Sequence, residues 1–359
     1  MNLHRTTRRI SAAYRKHLSS HSFSLLAIAL AAHLFPAPAS AQSPELSMRE
    51  FSSSQIKKGV RSIGFGGDGA TWGNYGLVWR EADGVLADFG ETKFSNANSF
   101  HFEAAGMTSP ATWHRLTFYA ITMRQGTNSV HLNVSSPGLG AGSTAITGSG
   151  SDQAVFAKIA MPLAKGFSIG VLLSHETSQF DATADQNASY QIHYDTVWRP
   201  SGGLGIAWQP NKRLLFGVRE MVNNDMEYRT DPAGTAHGEI RSGEFRLGSS
   251  IAPWKGAWLD LGGTSLIRSN ANAATRSHFY HPNVGFEQTL PNQRVALRFG
   301  VDETSPTAGL TLKYRRLKLD AAYAHNMGRS RVGNLFGTGS NTLLFTFTVD
   351  YGPKLRRAP

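Results

Sequence analysis

Downstream of about residue 97 the chain alternates in period two, and no window of 18 residues keeps a helical stripe. Near the end, Leu343, Phe345, Phe347, Val349 and Tyr351 share one parity, while Thr346, Thr348 and Asp350 share the other. Successive side chains of a strand point to opposite faces, so this pattern predicts a strand with one apolar side. It recurs upstream. Val295, Leu297, Phe299 and Val301 alternate with Ala296, Arg298, Gly300 and Asp302; Leu310, Leu312 and Tyr314 with Thr311, Lys313 and Arg315. Leu317, Leu319, Ala321 and Tyr323 alternate with Lys318, Asp320 and Ala322; Leu214, Phe216 and Val218 with Gly217 and Arg219. Phe167, Ile169, Val171 and Leu173 alternate with Ser168, Gly170 and Ser174.

The connections alternate as well. Tight turns are expected at 163–166, 210–212, 253–256, 291–293 and around 315–316, with longer polar segments at about 178–199, 223–240, 268–279 and 327–340. Short turns at one end and long loops at the other are the wiring of an outer-membrane barrel. Counting back from the last strand predicts about fourteen strands, near 98–105, 113–123, 129–135, 152–161, 167–176, 200–209, 213–222, 241–251, 257–267, 279–288, 294–302, 308–315, 317–325 and 341–351. The fold class expected is all-β, a transmembrane antiparallel barrel over 97–352 with a basic tail at 353–359. A water-soluble β-sandwich or propeller also alternates. The one-sided loop lengths and the lack of a blade-sized repeat argue against it. Trp208, Trp254 and Trp258 fall at tight-turn ends, where an interfacial aromatic girdle belongs.

Charge changes meaning once the N-terminus is read. Residues 1–41 hold Arg5, Arg8, Arg9, Arg15 and Lys16 and no acid, then an apolar run from Phe23 to Phe35 and the small-residue box Ala39, Ser40, Ala41. That is an export signal with cleavage expected after Ala41. Removing five of the 36 basic groups lowers the formal net charge from +11 to +6. A nucleic-acid partner, which a basic chain would otherwise suggest, loses its support. The 359 residues contain no cysteine, which excludes disulfide stapling, thiol catalysis and cysteine zinc sites together.

Residues 42–96 do not read as spanning strands. Arg61, Gly64, Gly66, Gly67 and Gly69 lie in a run that continues through Ala70 and Trp72 to Gly76. A basic residue followed by a Gly-hydrophobic-Gly-Gly run, ahead of about fourteen strands, resembles the long-chain fatty-acid transporter (FadL-like) family of Gram-negative outer-membrane barrels. The resemblance implies that 42–96 folds back into the lumen as a plug, and that hydrophobic substrates pass inward and leave sideways through the wall. Glycines suit a plug, because they let backbone approach backbone. A fourteen-stranded lumen is also wider than side chains alone fill.

Other patterns carry less. Gly64, Gly66 and Gly69 satisfy G-x-G-x-x-G, with Asp88 downstream, but no strand–helix context for a dinucleotide site surrounds them. Gly166, Ser168 and Gly170 match G-x-S-x-G, yet Ser168 sits just past a tight turn in an alternating strand, as a small lumen-facing residue would. His175 is the best candidate for a lipid-facing hydrolase site, without a visible serine partner. His278 and His281 are expected in a loop, and Asp181, Asp185 and Asp195 make another loop acidic.

The reading is therefore a non-enzymatic outer-membrane channel or transporter without cofactor or metal, for passive uptake of small hydrophobic or amphipathic solutes. Arg219, Glu244, Arg246, Glu287, Arg298, Lys313, Arg315, Lys318 and Asp320 are expected to line the lumen, and their basic excess points to anionic solutes. Outer-membrane lipid and lipopolysaccharide would surround the barrel; its oligomeric state is left open. The alternative is a structural or surface-interaction barrel that transports nothing.

Overall fold

The computed structural model describes residues 61–65, 70–80, 84–94, 99–110, 116–135, 143–185, 187–197, 201–231, 234–270, 275–302, 305–327 and 340–350. After a helical turn at 61–64 and a 3-10 turn at Tyr75–Arg80, every element among the described residues is a strand. These are β1 (Gly84–Phe94), β2 (Ser99–Pro110), β3 (Thr117–Ser135), β4 (Ser143–Pro162), β5 (Phe167–Ala184), β6 (Asn187–Val197), β7 (Ser201–Asn211), β8 (Leu214–Asp231), β9 (Gly234–Ile251), β10 (Ala257–Asn270), β11 (Thr275–Thr289), β12 (Val295–Asp302), β13 (Ser305–Tyr314), β14 (Leu317–Met327) and β15 (Ser340–Asp350).

The sheet closes. Each strand pairs antiparallel with its neighbours, and β1 pairs with β15 from Gly84↔Asp350 to Phe94↔Ser340. β6 and β7 share one position in the wall: β6 pairs with the far parts of β5 and β8, and β7 with their near parts. Fifteen strands thus make fourteen wall positions. Closure leaves no unpaired edge, which a sheet in hydrocarbon requires.

The total of fourteen agrees with the sequence count, but two assignments differ. Gly84–Phe94 stands in the wall as β1, inside the stretch expected to be plug. The two strands expected at 113–123 and 129–135 are one strand, β3, with a register shift between Thr127 and Val130. The segments at 178–199 and 223–240, expected as loops, largely continue the ladder, from Ser178↔Thr196 to Thr183↔Gln191 and from Asn223↔Ser242 to Asp231↔Gly234. His278 and His281 likewise stand in β11. A strand needs about 9–11 residues to span a bilayer, whereas β3, β4, β5, β8 and β9 have 19, 20, 18, 18 and 18. Their surplus projects beyond hydrocarbon, where neither face has to be apolar and the alternation disappears.

Near the turns the two faces are sorted as the alternation predicts. Phe167, Val171, Leu173, Phe216, Leu297, Phe299, Val301, Leu312 and Tyr323 face outward and are exposed. Ser168, Arg219, Arg298, Thr311 and Asp320 face inward and are buried. Trp208 stacks outward between Phe167 and Phe216, at 5.4 and 5.5 Å, and Trp254 lies 6.0 Å from Phe286. Trp258 departs from the expected girdle: it turns inward and meets Trp72 edge-on at 5.1 Å.

Candidate functional site: the occupied lumen

The described parts of 61–80 lie inside the barrel, across its short-turn end. Three apolar clusters of described residues hold them there, each containing one side chain from the segment. Ile63 packs with Ala322, Ala324 and Leu344; Leu77 with Ala207 and Leu215; Tyr75 with a larger group including Phe156, Leu172 and Met221.

Close approach explains the glycines. A Cβ at wall residue Gly170 would stand 2.2 Å from the Tyr75 carbonyl oxygen, one at Gly217 1.8 Å from that of Ala70, and one at Gly285 2.1 Å from that of Phe65. On the segment itself, a Cβ at Gly64 would stand 2.9 Å from the Cα of wall Gly309. Heavy atoms do not approach so nearly, so any side chain at these wall positions would push the segment away. The expected plug glycine Gly64 is therefore in contact with the wall, while Gly66, Gly67 and Gly69 lie outside the described residues.

Polar contacts add direction. The Asn74 side-chain amide donates to the carbonyls of Ala70, Ile206 and Val218 at 2.7, 3.1 and 2.9 Å, and its oxygen accepts from Gly76 N–H at 2.9 Å. Thr71 donates to Asp260 at 2.7 Å; Ser250 donates to the same carboxylate oxygen and lies 2.8 Å from the Thr71 hydroxyl.

Two charged clusters stand at this level. In the first, Glu244 accepts from Arg246 at 2.6 and 2.9 Å and from Arg219 at 2.7 Å; Arg219 also donates to Gly73 O at 3.3 Å and lies 5.1 Å over the Tyr75 ring. In the second, Glu287 accepts from Arg61 at 2.7 and 3.1 Å and from Arg298 at 2.6 Å. Arg298 continues to Thr311 and, at 3.2 Å, to Asp320, which Lys318 reaches at 2.6 Å. Out of water a charge persists only when it is paired and hydrogen-bonded. Each cluster also touches the lumenal segment, through Gly73 and Tyr75 in one and Arg61 in the other.

Seven of the nine residues expected to line the lumen fall in these two clusters: Arg219, Glu244, Arg246, Glu287, Arg298, Lys318 and Asp320. Lys313 is in register with Lys318 but exposed at the rim. Arg315 does not line the lumen. It occupies the β13–β14 turn with φ of 51° and lies 5.4 Å over the Tyr314 ring, because a two-residue reversal needs a left-handed residue there. The expected basic excess also shrinks. Buried on the inner wall are Arg219, Arg246 and Arg298, but also Asp88, Asp260, Glu287, Asp302 and Asp320.

The reading of single residues missed Asn74, Tyr75, Asp260 and Met221, whose partners are distant in sequence. The signal that could have found the docking path was the recurrence of glycine on the inward parity of β5, β8 and β11. Ser168 is buried and inward, whereas His175 is exposed and of outward parity on the same strand, so the two do not meet. Among the described residues no group of three or more His, Cys, Asp or Glu is placed to hold a metal ion.

Fold and site together define a closed β-barrel with an apolar outer face, on whose inner wall the described parts of 61–80 pack at the turn end. No family model matches the chain, and no curated protein matches it. Solved structures do. The Pseudomonas putida toluene transporter TodX has a TM-score of 0.52 at 9% identity, covering 82% of this chain and 98% of its own. The CymD monoaromatic hydrocarbon channel also has 0.52 at 9% identity, covering 83% and 98%. At that identity the likeness is one of fold, the fold that the fatty-acid-transporter resemblance implied.

Proposed function

We propose that the chain is a non-enzymatic outer-membrane channel for passive uptake of small hydrophobic or amphipathic solutes, with 61–80 as its plug. The observation that carries the reading is the docking of the described parts of that segment on wall glycines, with Arg61 paired to Glu287 and Arg219 donating to Gly73 O. In a merely structural barrel the same segment would fill the lumen permanently, and removing it would open no pore. The fold shared with a toluene transporter and a monoaromatic hydrocarbon channel supports a solute of that kind. An anionic head group, which the basic side chains suggested, has weaker support. It would have to displace Glu244, Glu287 or Asp320 from arginines they already hold.

The test is removal of 43–80, stopping short of the wall strand β1. In planar bilayers the shortened barrel should conduct far more than the whole chain, and proteoliposomes holding the whole chain should take up toluene faster than empty ones. A barrel that stays closed without the segment, with uptake equal to that of empty liposomes, would instead support the structural alternative.

A further inference from the structure

The turn end carries a feature that passage through the lumen does not use. Five tight turns are described there, and each presents a cation and no acid: Lys165; Lys212 and Arg213; Lys255; Arg294; Arg315 and Arg316. The strand-foot carboxylates of this sector, Asp260 in β10 and Glu287 opposite Trp258, are buried on the lumen side, Asp260 held by Thr71 and Ser250 and Glu287 by Arg61 and Arg298. By contrast, the far extension of β5 and β6 carries Asp181, Asp185 and Asp195.

Two of these turns form a cup. The β7–β8 and β9–β10 turns are laced together by Ala252 N–H donating to Arg213 O at 2.7 Å, and the second is tied to β11 by Thr289 N–H donating to Gly256 O at 2.7 Å. Between them opens a cavity of about 290 Å³ lined by Lys212, Arg213, Lys255, Trp254 and Trp258. The three cations are exposed and have no ion-pair partner among the described residues. Trp254 is held by its indole N–H donating to Gln288 at 2.7 Å, and Trp258 closes the inner side against Trp72.

Depth says what fits there. Trp208, Phe167 and Phe216 form an outward aromatic stack at the foot of β5, β7 and β8, and Trp254 with Phe286 continues it beside the cup. Aromatic girdles mark the boundary between hydrocarbon and head groups. The cup therefore opens at head-group level on the turn side, the periplasmic side of an outer-membrane barrel. Lysine and arginine at a membrane surface attract anionic lipid, and an arginine between two lysines offers forked and point donors to phosphate oxygens.

We propose that this cup binds the phosphate head group of an anionic phospholipid of the periplasmic leaflet, anchoring the β7–β10 sector. Its acyl chains lie along the outward apolar faces of β8 and β10. The cations act on the lipid directly, independently of any solute in the lumen.

The test uses the full chain in mild detergent and native mass spectrometry, with dioleoyl phosphatidylglycerol and dioleoyl phosphatidylcholine as probes. The anionic lipid should be retained roughly tenfold more than the zwitterionic one. K212Q/R213Q/K255Q should bring the two level while keeping the heat-dependent gel shift of a closed barrel, and K212R/K255R should retain the preference. Soluble glycerophosphoglycerol should compete poorly, because it lacks chains to lie on the wall. Equal retention by the native chain, a preference unchanged in the triple glutamine variant, or full competition by the soluble head group would each overturn the proposal.

Discussion

The turn end and the far end of the same strands are built on different rules. In β5, residues 167–174 alternate between outward apolar side chains and inward Ser168, Gly170, Leu172 and Ser174, with Leu172 packed in the cluster of Tyr75. Eight residues further on, Gln179 and Asp181 are outward and exposed, in a stretch that still pairs with β6. The backbone ladder is the same in both. What differs is the medium: hydrocarbon forces the outward face to be apolar, and a packed lumen forces every inward charge to find a partner. Above the bilayer neither pressure acts.

The sharpest way to break that comparison is to remove a buried partner. Glu244→Ala leaves Arg219 and Arg246 facing each other without their carboxylate and should cost about 3–5 kcal/mol. Asp181→Ala, at the exposed far end, should cost no more than about 1 kcal/mol. The urea concentration at which the unboiled gel band unfolds compares them; similar midpoints would contradict the burial of the Arg219–Glu244–Arg246 cluster.

Next in size is the outward face. A lysine at a lipid-facing midplane position of a barrel costs about 2–4 kcal/mol, falling to about 0–1 near the interface. Val171→Lys should fall in the first class and Gln179→Lys in the second, measured by refolding into lipid vesicles. Equal costs would move the edge of the hydrocarbon away from residues 167–175.

The smallest effect belongs to the far hairpin. His193 lies between Asp181 at 2.5 Å and Asp195 at 2.8 Å, outside the membrane-spanning part of the wall. The hydrogen bond to Asp181, then that to Asp195, raises its pKa above the ordinary 6.5. A raised folded pKa means that the contact contributes fully below the unfolded value and is lost as pH rises through the folded one. Amide exchange at the β5–β6 tip should therefore be slower, after correction for intrinsic rates, at pH 5 than at pH 9. His193→Gln should flatten the dependence.

The same contrast explains what could be read in advance. Alternation made the wall legible wherever bilayer and lumen act together, as in β12 to β15, where outward and inward residues fall where the parity put them. It failed above the bilayer, so polar strand extensions read as loops, and it failed for β1, hidden at the end of a glycine-rich stretch. Seven of the nine residues expected inward fall in the two charged clusters, because a charge on the minority parity of an apolar strand has to face inward. Arg315 was lost because parity does not continue into a reversal, and Trp258 because its place beside a turn outweighed its parity, which it shares with inward Asp260. The docking of 61–80 was legible only as a tendency of glycine; its partners Gly170, Gly217, Gly285 and Asp260 are far away in sequence.

The docking of the described parts of 61–80 on the inner wall at the turn end can be trapped covalently. Because the chain has no cysteine, T71C/S250C introduces a single pair, at side chains whose oxygens lie 2.8 Å apart. In protein extracted from the outer membrane, this pair should form an intramolecular disulfide without added oxidant catalyst, seen as a mobility change on reduction after boiling. The control pair T71C/S149C, with its wall cysteine placed on the far extension of β4, should stay reduced. Free thiols in T71C/S250C, alkylated as readily as those of the control, would show that the segment is not docked there.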